Sequence, residues 1–138
     1  MNSLPNDPLR LDDAEVEFST LRIDRLGALG DGIADFEGTE IGVFGGLPGE
    51  LVKARIYRYK RRKKNIVSGI VIEVIKPSPN RVEPLCKYFI SCSGCQWQNM
   101  EYSFQLTSKR NYVLEQMHTH ANLKEVPVES TIPSLQQY

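Results

Sequence analysis

LVKARIYRYKRRKKNIVSGIVIEVI, residues 51–75, decides the fold. Two runs rich in β-branched residues, 51–60 and 66–75, flank a basic tip at 61–65. Such side chains suit a pleated, half-buried surface, so the stretch predicts a long β-hairpin. Alternation along the first run sends Val52, Ala54 and Ile56 inward and Lys53, Arg55 and Tyr57 outward. Tyr59 joins the inner set only if a bulge follows Ile56.

Upstream, EVEFSTLRID (15–24) reads as a strand with Val16, Phe18, Leu21 and Ile23 as inward candidates. Residues 27–50 hold eight of the ten glycines, a density that predicts tight hairpins and bent strands. IADF (33–36) and EIGVF (40–44) are two short strands joined near Glu37 and Gly38, and LPGE (47–50) suits a type II turn. Five short strands within 15–76 predict a small, curled OB-like barrel. KPSPNRVEP follows, with prolines at 77, 79 and 84 that break the sheet, so 77–98 reads as a linker and cysteine-rich loop. One α-helix is predicted over 99–123, where Tyr102, Leu106, Val113 and Met117 keep helical spacing with Leu114 beside them. Residues 1–14 are Pro/Asn/Asp-rich and read as a flexible leader; 124–138 are polar, proline-marked and end like an interrupted domain. The fold class is mainly β, a five-stranded OB-like barrel followed by a cysteine-rich loop and one helix.

A composition of 41% hydrophobic and 25% charged residues is that of a folded chain. No apolar run approaches the ~20 residues of a spanning helix, and the acidic N-terminus lacks a secretion pattern. Three clustered cysteines, an odd number, point to a reducing compartment, so a cytoplasmic, monomeric protein without a membrane partner is expected.

The net charge of zero hides an asymmetry. Residues 1–50 hold three basic residues against eleven acidic ones, whereas 53–64 hold eight basic and no acidic residue. A phosphate backbone responds to the nearby field, over about 8–10 Å, more than to the whole-chain charge. Lys53, Arg55, Arg58, Lys60, Arg61, Arg62, Lys63 and Lys64, interleaved with Tyr57 and Tyr59, are therefore candidate RNA-binding residues, the tyrosines for stacking on unpaired bases. The plainer alternative is a solvated tip whose cations keep a sheet edge from aggregating.

CKYFISCSGCQWQ (86–98) holds all three cysteines, Cys86, Cys92 and Cys95. A structural zinc site would need a fourth ligand from His118 or His120, whose i,i+2 spacing puts them on different helix faces. An iron–sulfur cluster would need a fourth thiolate. A redox dithiol at Cys92 and Cys95 is the third reading, without a thioredoxin-like surrounding. Phe89 and Trp97 flank the thiols as a shield or as simple core.

Barrel, basic hairpin and cysteines in this order resemble the RNA (uracil-5-)-methyltransferase family. The closer resemblance is to the 23S ribosomal-RNA m5U enzymes, which carry a TRAM barrel and an iron–sulfur segment. The resemblance rests on GDGIA (30–34), LPGE (47–50), PSPNR (77–81), the cysteine spacing followed by Gln96, and Tyr102, Gln105, Leu106 and Lys109. It departs where the family usually has Pro near Phe44 and Gly at the place of Ser93. It implies that Cys86, Cys92 and Cys95 are three of four ligands of a 4Fe-4S cluster. It further implies that the fourth ligand, the S-adenosylmethionine domain, the nucleophilic cysteine and the general base lie beyond Tyr138. On this reading the chain is an N-terminal fragment, inactive alone, with no catalytic residue and three thiols that are empty or loosely metallated. Its partner is RNA, ribosomal RNA above all. The alternative is a free-standing RNA-binding module whose cysteines hold zinc or nothing. Methylthiotransferases also carry TRAM domains, but their C-x3-C-x2-C spacing sets them apart.

Overall fold

The structure is a computed structural model, described over residues 16–92 and 94–136; the expected leader at 1–14 lies outside the described residues. The strands are β1 (Glu17–Arg22), β2 (Arg25–Leu26), β3 (Gly32–Phe36), β4 (Thr39–Phe44), β5 (Leu51–Arg61) and β6 (Lys64–Lys76). One helix follows, α1 (Tyr102–His120). They form one curled sheet in the order β1-β5-β6-β4-β3-β2, antiparallel except where β4 runs parallel to β6. The strand expected at 15–24 is thus followed by a further short one, which makes six where five were expected. Only Ile23 and Asp24 separate β1 from β2. The Ile23 amide donates to Glu50 O at 2.9 Å and the Asp24 amide to Ile33 O at 2.8 Å. One bent run therefore serves both ends of the sheet, which is what curls it toward a barrel.

Inside the curl pack Leu21, Ile23, Ala34, Phe36, Ile41, Val43, Val52, Ala54, Ile56 and Val71, with Val67 and Val74 against them. The inner set expected for β5 is in place. Tyr59 is not in it, being 43% exposed. The pairing of β5 with β6 runs without a slip from Ala54 to Arg61, so no bulge follows Ile56 and odd-numbered side chains stay outside. Val16 and Phe18 are also outside, 50% and 48% exposed. Phe18 lies opposite Arg55 and Leu21 opposite Val52. Residues three apart on a strand face opposite ways, so Phe18 and Leu21 cannot share the core.

The β5–β6 connection is tighter than the expected 61–65 tip. Arg61 pairs with Lys64, leaving Arg62 and Lys63 at φ 49° and 64°. Two successive left-handed residues mark a type I′ turn, which matches strand twist but normally selects Asn or Gly. The 47–50 turn is as expected, with Gly49 at φ 85° and the Glu50 amide donating to Leu47 O at 3.2 Å.

The helix is shorter than the expected 99–123. Asn99 and Met100 are buried in the preceding loop, where Arg81 and Met100 form a bridge, and Glu101 caps the first turn by accepting from the Phe104 amide at 3.1 Å. Ala121 ends it. The following chain runs back along α1: Arg110 Nε donates to Val128 O, Thr131 Oγ1 to Leu106 O, and the Ser134 amide to Tyr102 OH. No helix among the described residues is long and apolar enough to cross a membrane.

Candidate nucleic-acid interface and cysteine loop

The hairpin sorts its charged residues onto two faces. Lys53, Arg55, Tyr57 and Tyr59 lie on the outer face of β5, beside Phe18 of β1. Lys53 Nζ sits 5.6 Å from the Phe18 ring centre and the Arg55 guanidinium 5.1 Å from that of Tyr57. Lys60, Arg61, Arg62, Lys63 and Lys64 form the exposed tip. Among the described residues, none of these five has an acidic partner.

Arg58 differs. Its even register turns it to the inner side, past the end of the core. There it donates to Glu17 (Nε, 3.1 Å) and Glu37 (Nη2, 2.9 Å) and lies 5.3 Å from the Phe36 ring centre. The Glu17 hydrogen bond, then that of Glu37, raises its pKa above the ordinary arginine value. Of the ten candidate RNA-binding residues, nine are gathered on the outer face or tip; Arg58 is spent on holding β5 to β1 and the β3–β4 turn.

The 77–98 segment is bound to the barrel rather than hanging from it. Glu50 is 0% exposed, and its carboxylate accepts from the Leu47 amide (2.9 Å), the Ser78 amide (3.1 Å) and Arg81 (Nε at 2.5 Å, Nη2 at 2.7 Å). Arg81 Nη2 also donates to Gly45 O at 2.6 Å, which accepts Asn99 Nδ2 at 2.9 Å as well. Trp97 Nε1 donates to Gly30 O at 2.6 Å, and the Phe89 ring packs 6.1 Å from that of Phe44. Both aromatics therefore pack on the barrel. Sequence reasoning missed this junction, although it had singled out both LPGE and PSPNR. The available signal was an acid directly after a Pro–Gly turn and an arginine among prolines, with nothing to say that they meet.

The three cysteines are exposed. Cys86 O accepts from the Phe89 amide and Tyr88 O from the Cys92 amide, so 86–92 is a compact turn. Cys92 Sγ accepts from the Gly94 amide at 3.4 Å and Cys95 Sγ from Gln98 Nε2 at 3.2 Å. Gln98 Oε1 accepts from the Cys86 amide at 3.0 Å and ties the two ends of the loop. No three His, Cys, Asp or Glu side chains among the described residues are gathered closely enough to hold an ion, and His118 and His120 join no such group. Ser93 lies outside the described residues.

No family model matches the chain. It is 34% identical over 118 residues to an uncharacterized RNA methyltransferase of Aquifex aeolicus, covering 86% of this chain and 27% of that protein. It is 40% identical over 94 residues to the 23S rRNA (uracil(1939)-C(5))-methyltransferase RlmD of Nitrosococcus oceani, covering 68% and 20%. With the RlmD of Legionella pneumophila the identity is 33% over 115 residues, covering 83% and 25%. The chain thus spans about a quarter of the length of the curated relatives it matches. Over that quarter, it belongs to the RNA m5U methyltransferase family.

Proposed function

We propose that the chain is the RNA-capturing and iron–sulfur portion of an RNA uracil-C5 methyltransferase acting on ribosomal RNA in the cytoplasm. The observation that carries this reading is the cationic tip of the curled barrel, five lysines and arginines without an acidic partner among the described residues. Arg58, by contrast, is held by Glu17 and Glu37. Left bare, the tip charges attract phosphates and release the counterions condensed on RNA. Phosphate contacts position the strand without reading its sequence. Methyl transfer from S-adenosylmethionine is assigned to the complete enzyme, and no residue of this chain is given a catalytic role.

Cys86, Cys92 and Cys95 fit an iron–sulfur cluster in chemistry, as three thiols on one loop with N–H donors already at two sulfurs. They would serve as three of its ligands, and the cluster when bound would supply an anchor that orders the loop. Gln98, which joins Cys86 to Cys95, holds the two ligands in one frame.

Two measurements test the reading. Replacing Lys60 and Arg62 together by Glu should weaken RNA binding severalfold or more and flatten its salt dependence; unchanged affinity and slope would remove the hairpin from the interface. Anaerobic purification should give iron and sulfide bound to the protein. Stoichiometric zinc without sulfide would instead support a zinc-holding RNA-binding module.

A further inference from the structure

The outer face of the barrel carries an aromatic strip that the tip charges do not explain. Phe18 is 48% exposed and Tyr59 43%, with half-buried Tyr57 between them along the β1–β5 surface. Exposed rings on a small barrel cost solubility, and a patch of this kind marks a contact surface. Two cations lie against these rings, with Glu73 of β6 opposite Lys53 in the register. Lys53 lies by Phe18 and Arg55 by Tyr57, each close enough for a cation–π contact. The strip leads directly into the five bare cations of the β5–β6 tip.

We propose that this face, Phe18, Tyr57 and Tyr59 with Lys53 and Arg55, is a stacking platform for two or three unpaired bases. RNA would thus be held here as a single strand and not as a duplex. The inference rests on the RNA-binding reading above and adds to it the form of the RNA and a contact residue, Phe18, lying outside the basic stretch. Charge complementarity selects the occupant, since an apolar protein partner would desolvate Arg55, which has no acidic partner among the described residues. A duplex shows the protein only its backbone and groove edges, so aromatic faces have nothing to stack on. Unpaired bases offer a π-face each, and a strand rise of about 3.3 Å per residue sets side chains two apart on β5 about 7 Å from one another. Arg58, on the other side and held by Glu17 and Glu37, takes no part.

The test is fluorescence-anisotropy titration of the full chain with a single-stranded RNA and with a duplex of equal length, across a salt series. Phe18→Ala with Tyr59→Ala should weaken single-strand binding about tenfold or more, leave the salt slope unchanged, and leave duplex binding within about twofold. Phe18→Tyr, which keeps an aromatic face, should retain most of the single-strand affinity that Phe18→Ala loses. Circular dichroism melting keeps the variants comparable, since both side chains are exposed. Equal loss on single strand and duplex, or no loss on the single strand while Lys60→Glu/Arg62→Glu still weakens it, overturns the platform and leaves RNA binding standing. Absence of any salt-dependent RNA binding by the unmodified chain overturns both.

Discussion

The hairpin tip and the Glu50–Arg81 junction both concentrate charge, and they use it in opposite ways. At the junction a carboxylate with no exposure meets four N–H donors from three residues, and Arg81 is itself only 20% exposed. At the tip five cations stand in water with no acidic partner among the described residues. Buried charge must be paired and hydrogen-bonded or it is costly, so the junction's charges hold the loop to the barrel. Solvated, unpaired charges add little to stability and remain free for a ligand. Arg58 sits between the cases, exposed and yet fully engaged.

The largest effect that can break this contrast is at the junction. Arg81→Ala strands the Glu50 carboxylate with only the Leu47 and Ser78 amides, and should cost about 3 kcal/mol or more in denaturant unfolding. A cost below about 1 kcal/mol would mean that the pair does not hold the loop to the barrel. Next comes the tip, where Lys60→Glu with Arg62→Glu should leave unfolding within about 0.5 kcal/mol while weakening RNA binding severalfold or more. A clear loss of stability there would place the tip charges among structural groups.

Arg58→Ala sharpens the middle case. It should reduce RNA affinity less than any single change among residues 60–64, although it removes the same formal charge. An equal loss would show that Glu17 and Glu37 do not withhold it. The smallest effect concerns Glu101. Ser103 and then the Phe104 amide, both donating to its carboxylate, hold its pKa below the ordinary 4.5. A folded pKa below the unfolded one contributes stability that is present above pH 4.5 and disappears as the pH falls through the folded value. Glu101→Ala should therefore lower helicity slightly at neutral pH, by circular dichroism, and match the unmodified chain under acid. A difference that persists in acid would point to packing instead of the cap.

What could be read from the sequence follows from the range of each signal. Val52, Ala54 and Ile56 were legible because a period of two is local, and so were the 47–50 turn and the cationic tip. Phe18 and Val16 were misplaced because hydrophobicity alone suggested burial while spacing from Leu21 forbade it. Tyr59 was placed inside only on condition of a bulge after Ile56, and the register has none there. The short β2 has only two residues, too few for a periodic signal, and exists because the chain turns from Glu50 to Ile33 as partner. The Glu50–Arg81 junction joins residues 31 apart through a buried pair, for which a single sequence carries no local signature. The cysteine spacing shows that the three thiols share one loop, and the structure adds the Gln98 tie between Cys86 and Cys95 that spacing could not show.

The division of labour between the two charged regions is tested most directly by the salt dependence of single-stranded RNA binding. Log affinity against log salt should fall linearly for the unmodified chain, and Lys60→Glu/Arg62→Glu should reduce the slope by about 1.4, two contacts at roughly 0.7 each. A variant slope equal to that of the unmodified chain would contradict the account.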